Sequence, residues 1–163
     1  MEQVINGLRW ATLNVGLPGQ FANDPRSCYY YKWNATDGWT GYDHKGGVWE
    51  ISNDPSPSGW RIPTFDEFKK LLDTSRVHNE YIVQNGVHGR IFKDLINGNS
   101  IFLPSDGYLE SGRVYFLDSY CGYYWSKTHS REYNRDYFGV FMSNGEWLDH
   151  KHSASSIRCI RAY

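Results

Sequence analysis

No stretch of this 163-residue chain approaches the ~18 apolar residues that a membrane-spanning helix needs, so membrane insertion is not expected. Neither sign of charge is in excess. Seventeen Lys and Arg stand against 18 Asp and Glu, and such a balance provides no global field for nucleic acid or an anionic membrane. Met1 to Trp10 lacks the basic start and apolar run of a signal peptide, so the chain is either not exported in this form or has lost a leader. Cysteine is scarce and odd in number. Cys28, Cys121 and Cys159 match no zinc-ligand spacing, and one disulfide with a free thiol or three reduced thiols are both compatible with them. Gly-x-Ser-x-Gly, His-Glu-x-x-His and the phosphate loop do not occur, and no cofactor is expected. There is no internal repeat of fixed period, which argues against solenoids and propellers.

What the chain has in excess is aromatic rings: 28 residues, 17% of the total. With 40% hydrophobic and 21% charged residues it is a folding sequence, and its length suits a single domain spanning 1–163. A core of this size takes roughly half of those rings. The remainder must lie on surfaces, where exposed aromatics mark binding.

One segment reads as a helix. Thr64 is placed as N-cap, and Glu67 three residues on completes a capping box. Phe65, Phe68, Leu71 and Leu72 recur at helical spacing, which predicts a helix ending near Asp73 to Arg76. A second short helix is expected before this one or over Phe92 to Ile96. The rest reads as strand and turn, with short strands over Arg9–Val15, Gly47–Ile51, Ser100–Leu103, Gly112–Leu117 and Asp136–Met142. Ser143-Asn144-Gly145 then turns the chain into a return arm, Glu146–His150, and Ser156–Ile160 forms a last strand. The pattern is α+β, mainly antiparallel.

Several segments also resemble a known family. Pro57-Ser58-Gly59-Trp60-Arg61-Ile62-Pro63-Thr64, with Glu67, is similar to the P-x-G-W-R-L-P-T-x-x-E signature of Fibrobacter-type major paralogous domains. Trp10-Ala11-Thr12-Leu13-Asn14-Val15-Gly16, Tyr30-Tyr31-Lys32-Trp33, Gly122-Tyr123-Tyr124-Trp125-Ser126-Lys127-Thr128 and Ser156-Ile157-Arg158-Cys159-Ile160-Arg161 resemble its other motifs, in order along nearly the whole chain. The resemblance implies a C-type lectin-like fold with adjacent termini and two helices. Some relatives are variable proteins of diversity-generating retroelements, whose C-terminal segment is rewritten to make a ligand-facing surface. Others are bacterial surface or fimbria-associated proteins. A cell-surface, secreted or phage-particle location is implied in the same way.

The composition of the implied surface agrees. Between Ser119 and Ser156, Tyr, Ser, Gly and Asn supply 17 of 38 residues, as in an antibody-like paratope. The expected ligand contacts are His129, Arg131, Tyr133, Asn134, Arg135, Tyr137, Trp147, Asp149, His150 and His152, facing a protein or glycan partner. Tyr137, Gly139 and Phe141 alternate with Phe138, Val140 and Met142. One set is core, and alternation does not decide which. His150 and His152 would need further metal ligands, with only His129 nearby, so no metal is expected. Glu-Pro-Asn, Gln-Pro-Asp and Trp-Asn-Asp, the triplets of calcium-dependent sugar binding, are missing. Trp60 and Trp125 are expected to fill the core, with Arg61 and Ser126 satisfying buried backbone carbonyls.

The reading is therefore a non-catalytic ligand-binding module. The alternatives are a structural or fimbria-associated subunit and, from another class, a formylglycine-generating-like oxidase using Cys121 and Cys159.

Overall fold

A computed structural model of the chain describes residues 1–27, 29–34, 49–132, 135–143, 147–149 and 154–162; for 129–132, 135–142 and 147–149 it is the backbone that is described. Among the described residues, mostly antiparallel sheets surround one short α-helix, an α+β arrangement. Among the described residues no helix is long and apolar enough to cross a membrane.

Three hairpins turn on two-residue loops that end in glycine. β1 (Glu2–Ile5) and β2 (Leu8–Ala11) join through Asn6-Gly7, and β4 (Val77–Gln84) and β5 (Val87–Asp94) through Asn85-Gly86. β7 (Tyr108–Glu110) and β8 (Arg113–Tyr115) join through Ser111-Gly112. All six loop residues have positive φ, between 46° and 82°, the backbone of a turn whose twist matches the flanking strands. β6 (Ser100–Pro104) extends β4 and β5 into a three-stranded sheet.

The chain ends are joined. β12 (Ile160–Arg161) lies between β2 and β3 (Trp60–Arg61), with β1 beyond β2, and Arg161 donates through Nε to Glu2 at 3.2 Å. The adjacency of the termini implied by the family resemblance is present.

Two apolar cores lie on either side of this frame. One contains Trp33, Trp49, Trp125, Ile157, Cys121 and Cys159; the other contains Trp10, Phe68, Leu71, Phe92, Leu103, Tyr124 and Ile160. Trp10 and Ala11, Tyr124 and Trp125, and Cys159 and Ile160 each send successive side chains to opposite cores, as the two-residue period of extended chain requires.

The helix is shorter than its apolar spacing predicts. α1 covers Phe65–Lys69 and tightens into a 3₁₀ turn over Lys70–Leu72. It stops because Asp73 accepts from the Ser75 N–H and hydroxyl, folding the chain into a turn. The capping box is as expected, with Thr64 Oγ1 accepting from Glu67 N–H and Glu67 accepting from Thr64 N–H. Phe92–Ile96 is not helical: Phe92 to Asp94 end β5, and the turn beyond is organised by the Asp94 carboxylate. Ile51 opens a 3₁₀ turn, Ile51–Asn53, and not the end of a strand. The last strand is only β12, because 154–156 form single bridges to three different neighbours.

Candidate functional site

The segment expected to face a ligand leaves the molecule through β9 (Tyr123–Glu132), runs through β10 (Arg135–Met142) and β11 (Trp147–Asp149), and rejoins it at Ala154. These strands form their own antiparallel sheet, ordered β11-β10-β9. The start of β9 is fixed by buried groups. Trp125 is fully buried, its ring 5.5 Å from that of Trp33 and 5.9 Å from that of Trp49. Its indole N–H donates to the Tyr31 carbonyl.

The return of the chain lies beside its departure. Trp125 N–H donates to Ser156 C=O at 3.0 Å, and Ser156 N–H to Tyr123 C=O at 3.2 Å. Ala154 and Leu109 exchange both backbone bonds, as do Ser155 and Tyr31. A further clasp lies at the end of β10, where Ser143 N–H donates to Gly122 C=O at 2.9 Å and Gly122 N–H donates to Ser143 Oγ at 2.6 Å. A Cβ on Gly122 would sit 2.6 Å from the Pro104 carbonyl oxygen, so only glycine fits.

Two of the sequence motifs meet here. Lys127 N–H donates to Pro63 C=O at 2.8 Å, and Thr128 Oγ1 accepts from Phe65 N–H at 2.9 Å. Thr128 thereby satisfies an N–H at the start of α1 that has no partner within the helix. Arg61 holds Glu67 through two bonds, of 2.8 and 2.7 Å. Burial acts to raise the Glu67 carboxyl, but the bonds from Arg61 and Thr64 outweigh it and hold the group at about 2.

Arg61 was expected to serve buried carbonyls; its main partner is instead this carboxylate, with a longer 3.3 Å bond to Ile62 C=O. Ser126 Oγ accepts from Thr128 N–H at 3.3 Å. Trp60 is only partly buried, its face covered by the Arg161 guanidinium at 4.3 Å.

The register places the expected contact residues on this sheet. Arg135 stands opposite Glu132, Arg131 opposite Asp136, Tyr137 opposite Ser130 and His129 opposite Phe138. Trp147 stands opposite Phe141, and Asp149 opposite Gly139. Tyr133, Asn134, His150 and His152 lie outside the described residues. The register shifts between Phe138 and Val140, where Ser126, Lys127 and Thr128 of β9 stand against the single residue Gly139. Alternation left the faces of β10 undecided because Tyr137 and Phe141 on one side and Phe138, Val140 and Met142 on the other are all large and apolar.

Sequence reasoning missed a cleft of about 480 Å³ beside this sheet, lined by Trp49, Ile51, Trp60, Arg61 and Lys127 among others. It also missed the Gly122–Ser143 clasp and the Thr128 bond, for which the order of the motifs was the only available signal. Cys121 and Cys159 are buried, and Cys28 lies outside the described residues. Burial pushes the Cys159 thiol up to about 12, and its S–H donates to Ser56 Oγ at 3.1 Å. Among the described residues no group of three His, Cys, Asp or Glu could hold a metal ion.

The chain matches no protein-family model, no curated protein and no solved structure.

Proposed function

We propose that the chain is a non-catalytic ligand-binding module of C-type lectin-like fold, akin to Fibrobacter-type major paralogous domains. Its segment from about His129 to Ser155 carries the recognition surface. The observation that supports this reading is the clasp at the base of the segment. Departure and return are bonded to each other through Trp125 and Ser156, and both flanks are fully buried. A segment held this way can change its side chains while the frame keeps its hydrogen bonds, which is what a diversified surface requires.

Recognition would follow the antibody pattern, with Tyr and Trp as rigid anchors and small polar residues adapting around them. The chemistry of Cys159 favours binding over an oxidase reading, because a thiol held at about 12 is a poor nucleophile at neutral pH.

The test is a displayed library in which His129, Arg131, Tyr133, Asn134, Arg135, Tyr137, Trp147, Asp149, His150 and His152 are randomised together and selected on lysozyme as a model target. Folded, target-specific binders are expected. A library whose members fail to fold, or that yields no binder, contradicts the assignment of these positions.

A further inference from the structure

The β4-β5-β6 sheet has one open margin. Its β6 side lies near β1, where Asn97 and Asn99 donate side-chain bonds to Val4 C=O. On the opposite side, among the described residues, β4 pairs with β5 alone.

Which groups of β4 point outward follows from the bonds of β5. His88 C=O accepts from Ser105 N–H, and Asp94 N–H donates to Asn99 C=O, so the even-numbered residues of β5 address β6. The odd-numbered ones therefore address β4. They stand opposite His78, Glu80, Ile82 and Gln84, which leaves Val77, Asn79, Tyr81 and Val83 facing away from the sheet. Val77 N–H is already bonded to Asp73 C=O. Among the described residues, no backbone partner meets the N–H and C=O of Asn79, Tyr81 and Val83.

Natural sheets blunt such edges with lysine, proline, a bulge or a covering element. β4 contains no Lys and no Pro and its one carboxylate is Glu80, its register with β5 is unbroken, and Tyr81 and Val83 are 39% and 53% exposed. The three outward residues are centred on Tyr81.

We propose that β4 is a self-association edge that pairs antiparallel with β4 of a second copy, about a two-fold axis at Tyr81. In that register Asn79 pairs with Val83 of the partner subunit, and Tyr81 with itself. The six open backbone groups of Asn79, Tyr81 and Val83 are then satisfied, the Val77 C=O lying beyond the end of the pairing, and two three-stranded sheets merge into one of six. The centred spacing fits an isologous partner, in which each edge supplies what the other lacks. The proposal is independent of the recognition reading, because β4 shares no residue with β9–β11.

The test is sedimentation of the full chain over roughly 1 to 100 µM, beside Val83→Pro. This substitution removes one outward N–H and no bond within the chain. Concentration-dependent dimers are expected for the parent, and monomers with an unchanged melting temperature for Val83→Pro. Disulfide trapping gives a second readout in a Cys28→Ser background. Tyr81→Cys should cross-link copies, since facing Cα atoms at such a pair lie about 5.5 Å apart. Gln84→Cys, which stands opposite His78 of the partner subunit in this register, should not. A parent chain that stays monomeric overturns the proposal, as does a folded Val83→Pro chain that still dimerises. Cross-linking at 84 as readily as at 81, or at neither, overturns it too, and this comparison decides the matter should Val83→Pro fail to fold.

Discussion

Single side chains hold the frame at three points, one partly buried and two fully buried, and each has a measurable signature. Glu67 has an ordinary value of 4.5 and sits at about 2 in the folded chain. A carboxyl lowered on folding stabilises fully above its unfolded value and loses that contribution as pH falls toward the folded one. Glu67→Gln should therefore cost about 2 kcal/mol at pH 7, and the gap between the urea midpoints of parent and variant should narrow below pH 4.5 and close toward pH 2. A gap that ignores pH would show that the Arg61 pair contributes nothing ionic. Arg158 is buried, donating through Nε to Asn14 Oδ1 at 2.7 Å and through a terminal nitrogen to Ala11 C=O at 3.3 Å. Arg158→Met strands both acceptors and should cost about 3–5 kcal/mol. Cys159 should resist Ellman's reagent at pH 8 until the chain unfolds, as judged by mass spectrometry of the labelled peptide; fast native labelling would place it in solvent.

At the scale of elements, what held the sequence reading together was chemistry confined to a few adjacent residues. The Thr64–Glu67 capping box, the strand ending at Pro104 and the aromatic, β-branched run of β10 all carry their signals locally, and all are present. The β4–β5 hairpin was missed although Asn85-Gly86 is the same turn signal that was read at Asn144-Gly145. The reason is burial. Only Val77 of β4 is buried, so no alternation of apolar and polar residues marks the strand. In β5, Gly89 interrupts the pattern because Phe102 packs over it, 2.4 Å from where a Cβ would stand. The clasps of the candidate site were illegible for a different reason: Gly122–Ser143 and Phe65–Thr128 join residues 21 and 63 positions apart. Thr128→Val keeps the shape and removes the acceptor. It should cost about 1–2 kcal/mol by leaving the Phe65 N–H unpaired, read as a lowered urea midpoint with an unchanged slope. A neutral outcome would remove that clasp from the account.

At the scale of the whole molecule, the closing segment 154–161 is where the fold converges. It bonds in turn to Leu109, Tyr31, Tyr123 and Trp125, Val15, Ala11, and the strands β2 and β3. The aromatic excess divides along this line. Trp10, Trp33, Trp49 and Trp125 are buried against the frame, whereas Tyr137 and Trp147 lie on the sheet that the frame carries. The central claim is that frame and carried segment are energetically separable. It is tested most directly by thermal unfolding of a chain in which His129, Arg131, Tyr133, Arg135, Tyr137 and Trp147 are all replaced by Ser, beside Arg158→Met. For a chain of this length 1 kcal/mol moves the midpoint by about 2–4 °C. The account predicts a cooperative transition within about 5 °C of the parent for the sixfold variant, and a fall of about 10 °C for the single Arg158→Met change. A sixfold variant that melts as early as Arg158→Met, or loses its cooperative transition, would contradict it.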